Sequence, residues 1–277
     1  MNINETIEKV FLTKDYKLIL TDKGLTNKNY LLKILNKKYM VRVPYPDASQ
    51  IIEREHELIA IDCVKGQSFD IAPIYYDEST GIKITPYIEG AVEYKDTQDV
   101  NKIEKVAKLL RRFHSLNLQS SESFNPYERY LQYKSHISSP SFDLSQYEPI
   151  MNKIARETYT PCLCHNDVVS GNLLFTKQQT YLIDYEYAAN NDPLFDVISF
   201  LSENEIFDEN LRERFYAVYF DEMNDSVKQR LIHWEIFQDV LWCTWAMMME
   251  ESRHEPIYQE IAKAKYKALQ SINVDPR

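Results

Sequence analysis

Two acids and an amide at fixed spacing carry the chemistry of this chain. In CHNDVVSGNLLF (164–175), Asp167 and Asn172 bracket four residues, and TYLIDYEY (180–187) adds Asp184 twelve positions after Asn172, beyond a short apolar strand. Phosphoryl transfer needs one carboxylate to take the proton of an attacking hydroxyl, and an amide and a second carboxylate to hold Mg²⁺ against nucleotide phosphates. Mg²⁺ keeps several waters, so one oxygen from each of two adjacent segments is enough. A lone Asp in such a stretch is more often a turn or cap residue. The three groups together, with this spacing, read as a phosphoryl-transfer centre.

A chain of 277 residues, 44% apolar, can bury a core in one or two domains. Only five glycines accompany 20 Tyr, 12 Phe and 3 Trp, which speaks against a low-complexity or flexible protein. A net charge of −10 argues against a nucleic-acid partner and suits a small cationic ligand. The opening MNINETIEKVF lacks the pattern of a signal peptide, and no apolar run is long enough to span a bilayer, so a cytoplasmic protein without membrane contact is expected. Cys63, Cys162, Cys164 and Cys243 then read as reduced thiols. Cys162 and Cys164 beside His165 lack the two-residue gap and the second ligand pair of a zinc site. Oligomeric state is not legible.

The elements that must position these groups fall into two blocks. YKLIL (16–20), NYLLKIL (29–35) and KYMVRV (38–43) read as strands, 48–64 as a helix with Asp47 or Ser49 as its cap, and IAPIYY (71–76) and GIKITPYI (81–88) as a strand pair. From about residue 98 the spacing turns helical: 100–116, 126–136, 145–158, 208–222, 226–251 and 255–271, with LLF and TYLID as the only strands. The expected fold is α+β and two-lobed: a small antiparallel sheet lobe with one helix (1–89), a hinge near Pro86–Gly90, and a larger, mainly helical lobe (90–277). The cleft between them is the expected ligand site.

HNDVVSGNLLF with YLIDYEYAANNDPLFDVISF resembles the choline/ethanolamine kinases, within the wider aminoglycoside-phosphotransferase and protein-kinase-like fold, and most of all the bacterial Lic-type choline kinases. The resemblance runs from GLTNKNYLL to VLWCTWAMMMEE. It implies ATP and Mg²⁺, with Asp167 as the base, Asn172 and Asp184 as metal ligands, and His165 opening and bracing the catalytic loop. Arg42 falls where protein kinases carry the phosphate-contacting strand Lys, with Glu57, or Glu53 as second choice, as its helix partner. KGLTNKNY (23–30) stands for the phosphate loop with one glycine, which puts Thr26 and Asn27 near the phosphates. Glu186 occupies a position where protein kinases have no side chain and meets a metal water or a cationic substrate. Adenine is expected at Pro86, Tyr87 and Ile88.

Trp242 and Trp245 lie three apart on one helix face, one turn beyond Asp239. A quaternary ammonium has no N–H to donate, so it is held by π-faces and a carboxylate field, each ring contributing roughly 0.5–2 kcal/mol. On periodicity alone a Trp pair is core packing; the resemblance makes this one the choline pocket, with Tyr185 and Tyr187 as further walls. Trp234 and Met247–Met249 read as packing, and Asp196 as the anchor of the catalytic loop through backbone hydrogen bonds. The expectation is a kinase forming phosphocholine and ADP. The rivals are ethanolamine, thiamine or an aminoglycoside as acceptor, or a pseudokinase binding module.

Overall fold

The computed structural model describes residues 2–23, 27–46 and 54–272. Thr26, Glu53, the apolar pair Ile51 and Ile52, and the proposed caps Asp47 and Ser49 lie outside them.

Five antiparallel strands form the first sheet: β1 (Lys17–Lys23), β2 (Asn27–Ile34), β3 (Lys37–Pro44), β4 (Tyr75–Tyr76) and β5 (Lys83–Pro86), in the order β1-β2-β3-β5-β4. Ile7, Leu32, Ile34, Val41, Ile82 and Ile84 make its small core. Strand alternation sends Ile82 and Ile84 into that core and turns the intervening Lys83 to the opposite face. Helix α1 (Ile3–Phe11) covers the sheet, and α2 (Arg54–Val64) brings Glu57 to it. Buried Ala60, Ile61 and Val64 of α2 belong to the larger core rather than the small one.

That larger core is built by α3 (Lys102–Ser115), α4 (Pro126–Ser135), α5 (Glu148–Arg156), α6 (Pro193–Glu203), α7 (Glu209–Tyr219), α8 (Asp225–Arg253) and α9 (Pro256–Ser271). Helix α8 is buried on most of its circumference between Leu231 and Met249. Trp234 and Met247 pack in this core as expected from sequence.

The α+β, two-part layout agrees with the sequence expectation; several elements differ. Helix α1 is capped by Asn2, which accepts from Glu5 N and donates its own N–H to the Glu5 carboxylate, both at 3.0 Å. Helix α6 has no amphipathic period because Leu194 to Ser202 are all buried. Residues 71–74 are not strand, and β4 keeps only Tyr75–Tyr76. LLF and TYLID are not alone: β6 (Val92–Glu93) pairs with β8 (Leu173–Phe175), which pairs with β9 (Thr180–Leu182), while β7 (Cys162–Cys164) pairs with β10 (Ala189–Asn191). Strands of two or three residues are too short to show alternation.

Candidate active site

The catalytic loop leaves β7 and is tied down by one buried acid. Asp196 of α6, fully buried, accepts the backbone N–H groups of His165 (2.8 Å) and Asn166 (2.7 Å) and also meets His114 Nε2 (2.9 Å), whose Nδ1 lies 2.7 Å from the Tyr219 hydroxyl. Ser199 Oγ accepts Val168 N–H at 2.9 Å. Loop N–H groups with no ladder partner are thereby satisfied from one helix face, which fixes the loop's path. His165 is fully buried, with Nε2 2.9 Å from the Ile183 carbonyl, and burial holds its pKa below the ordinary value. It braces the loop and has no access to a reacting atom.

The loop ends with Asn172, whose amide nitrogen donates to Asp167 O (2.9 Å) and Asp167 Oδ2 (3.0 Å). This leaves the Asn172 amide oxygen as an acceptor without a hydrogen bond. Across the β8–β9 hairpin, Ile183 N–H donates to Asn172 O at 3.0 Å, which brings the next residue, Asp184, beside the loop. Asp184 and Asn166 both adopt left-handed backbone, φ 69° and 63°. Asn and Asp tolerate this region best, and such strain clusters at functional sites.

Two cations from the sheet face these acids. Arg42, 6% exposed, bonds Glu57, Asp184 and, at 3.3 Å, Glu186. The partner chosen from sequence, Glu57, is fully buried and also receives Lys83 Nζ (2.8 Å) and Tyr76 OH (3.1 Å). Lys83 reaches Asp184 Oδ1 at 3.0 Å. Asn27 donates to Glu186 Oε2 at 2.9 Å. Arg42 and Lys83 hold the Asp184 carboxyl well below the usual range against the upward push of burial. Burial, then the charges of Glu186, Glu203 and Asp184, pushes Asp167 up to about 8. Glu186 rises to about 7, from burial and then the Asp184 charge.

The oxygen donors suit a hard divalent cation. An amide oxygen without a hydrogen bond at Asn172, an ionised Asp184 and Glu186 lie on adjacent segments. The Arg42 Nε–H is buried without an acceptor.

The aromatic candidates divide. Tyr187 meets Trp242 edge-on (centroids 6.5 Å, 80°) and Trp242 meets Trp245 likewise (6.2 Å, 88°). Asn166 Nδ2 donates to Tyr187 O at 2.8 Å, so this ring chain is attached to the catalytic loop. Tyr187 and Trp242 are partly exposed, whereas Trp245 is 7% exposed and backs onto Tyr258. Tyr185 is no wall of the pocket: it is 3% exposed, donates to Leu182 O at 3.0 Å and lies against His165.

Asp239 is also displaced from its expected role. It is 1% exposed and held by Lys265 Nζ at 3.3 Å and Ser202 Oγ at 3.4 Å, so its charge is spent within the protein. Lys265 also binds Glu203 (2.5 Å), whose side chain is 21% exposed. Glu203 lies two helical turns past Asp196, a spacing that could have flagged it. At the hinge, Pro86 is exposed, and Tyr87 N–H already donates to Lys38 O at 3.2 Å. Ile88 O accepts Ala91 N–H at 3.2 Å. A cavity of about 210 Å³ opens beside Glu186 and Tyr187, walled by His56, Glu128, Arg129 and Gln132. Among the described residues no helix is long and apolar enough to cross a membrane.

Residues 18–230 match the model of a phosphotransferase enzyme family. The chain is 26% identical over 248 residues to Protein LicA of Haemophilus influenzae, covering 82% of this chain and 91% of that one. It superposes on the choline kinase LicA of Streptococcus pneumoniae with a TM-score of 0.82 at 26% identity, covering 98% of both chains. A LicA structure in complex with AMP matches with a TM-score of 0.79 at 26% identity, over 97% of both chains.

Proposed function

We propose, from the premise that this chain belongs to the phosphotransferase enzyme family and is a choline/ethanolamine kinase-like enzyme with an alcohol acceptor, that it moves the γ-phosphoryl group of ATP to the hydroxyl of choline. One observation carries the choice of acceptor: Tyr187, Trp242 and Trp245 form a continuous set of edge-to-face rings joined to the catalytic loop. Rings suit a cation that has no N–H to donate.

Asp167 is the base. Asn172 holds its Oδ2, so Oδ1 is the oxygen left for the acceptor hydroxyl. A carboxyl pushed up to about 8 is matched to proton transfer near neutral pH. The hydroxyl oxygen attacks phosphorus in line as its proton passes to Asp167, and ADP leaves. Arg42 meets charge on the transferred group. Mg²⁺, when bound through Asn172 and Asp184, would neutralise charge developing on the phosphate oxygens. The Asp196 anchor keeps Asp167 at a fixed position relative to Asn172.

Ethanolamine is the second reading, on the same scaffold, with acceptors and carboxylates wanted in place of rings. The pseudokinase reading conflicts with the presence of Asp167, Asn172 and Asp184 together. ADP release over choline, ethanolamine, thiamine and an aminoglycoside, with Mg²⁺ and with EDTA, tests the assignment. Choline-dependent, Mg²⁺-dependent release is expected; release with another acceptor and none with choline would overturn it.

A further inference from the structure

The sheet presents a second cation that the reaction as derived so far does not use. In the antiparallel register of β3 and β5, Arg42 stands directly opposite Lys83. Directly opposite residues project from the same sheet face, about 4.5–5.5 Å apart at Cβ, and like charges there are destabilising. Burial makes the juxtaposition worse, since the two side chains are only 7% and 10% exposed. Packing does not call for it: the small core takes Ile82 and Ile84, on either side of Lys83. Glu57 takes both cations, Arg42 on Oε2 and Lys83 on Oε1, and the cluster sets these two cations against Glu57, Asp184 and Glu186.

The contacts suggest what the second cation is for. Arg42 and Lys83 both bond Asp184 through the same oxygen, Oδ1, and neither bonds Oδ2. The pair therefore pins the carboxylate by one oxygen and leaves the other to a ligand from the cleft. Lys83 has three donors, of which Glu57 and Asp184 take two. Its third has no acceptor within the protein. Two adjacent cations, one with a donor left over, beside the candidate metal ligands, match a polyphosphate better than a single phosphate.

We propose that Lys83 is a second cation for the nucleotide triphosphate, working beside Arg42 and fixing the orientation of Asp184. Arg42 supplies the planar fork and Lys83 a compact point charge. The inference rests on the reading of this chain as a nucleotide-dependent phosphotransferase, and deepens it at the phosphate end of the cleft.

The test is equilibrium binding of ATP and AMP in EDTA, without any acceptor alcohol, for the unaltered protein, Lys83→Met and Lys83→Arg. Lys83→Met is expected to weaken ATP about tenfold or more, the scale of one lost charge-assisted hydrogen bond, while AMP binding changes less than about twofold. Lys83→Arg should recover most of the ATP affinity. Equal weakening of ATP and AMP, or no change in either, would overturn the proposal, since a lysine that merely ties the sheet to Asp184 has no means of telling the two nucleotides apart. If Lys83→Met does not fold, Lys83→Gln carries the same comparison, because its amide can still donate to Glu57. No acceptor is present, so the result is independent of which alcohol is phosphorylated; that question is read separately from ADP release by the unaltered protein.

Discussion

Replacing Glu57 by Gln preserves size and removes charge at the most enclosed acid of the cluster. Glu57 is fully buried and accepts from Arg42, from Lys83 at 2.8 Å and from the Tyr76 hydroxyl at 3.1 Å. Removing one member of a buried ion pair costs about 3–5 kcal/mol, because the stranded charge cannot return to water. Here the Gln oxygen still accepts one hydrogen bond, and Asp184 remains within reach of both cations, so the lower end, about 3 kcal/mol, applies. In a chain of this length that lowers Tm by about 6–12 °C. Adding Lys83→Met takes away one of the stranded cations, so the double variant should be more stable than the summed single losses imply, by about 1–3 kcal/mol. Thermal and urea unfolding of the four proteins gives the cycle. A Tm fall under about 2 °C for Glu57→Gln, or additivity within about 0.5 kcal/mol, would refute the reasoning.

Three further outcomes follow from the same contacts. With Asp167 pushed up to about 8, kcat/KM for the acceptor should climb with pH until that value is passed, and Asp167→Asn should abolish the climb along with turnover. Trp242→Ala should raise the choline KM about 2- to 30-fold and leave the ATP KM unchanged, as steady-state kinetics in both substrates will report. Folding stability should depend on pH in a definite sense. Asp167, Glu186 and Asp239 are raised to about 8, 7 and 6, so the native state keeps protons that the unfolded chain has lost, and stability falls as pH rises through that window. Glu57 and Asp184 are lowered, and their contribution is lost only below the ordinary carboxylate range. Tm measured without ligands should therefore be higher near about pH 5.5 than at about pH 8.

The parts of the site legible in sequence are those whose geometry is local. Asp167 and Asn172 touch across five residues of one loop, and the β8–β9 hairpin carries Asp184 to them, so spacing alone implied their meeting. Arg42 with Glu57 required only the β3-to-α2 order that the resemblance supplied. Lys83 was invisible because β5 pairs with β3 across the intervening helix α2, and its register with Arg42 exists only in the folded sheet. Tyr185 and Tyr187 looked equivalent on a short segment, yet the chain turns at 186–187, and Tyr185 is buried against His165 while Tyr187 meets Trp242. Asp239 misled for a different reason: the helix face was read correctly as shared with Trp242, but the ammonium covering it comes from α9, 26 residues later. At Pro86–Gly90 position in the chain says nothing of which backbone groups the sheet uses, and Tyr87 N–H is one of them.

The most direct test of the account is phosphorus NMR of a reaction holding ATP, Mg²⁺ and choline, run with the unaltered protein and with Asp167→Ala. Stoichiometric phosphocholine and ADP from the first, and neither from the second despite retained ATP binding, is the expected result. Phosphocholine formed at an undiminished rate by Asp167→Ala would contradict the assignment of Asp167 as the base. No choline-dependent product from the unaltered protein would contradict the choice of acceptor.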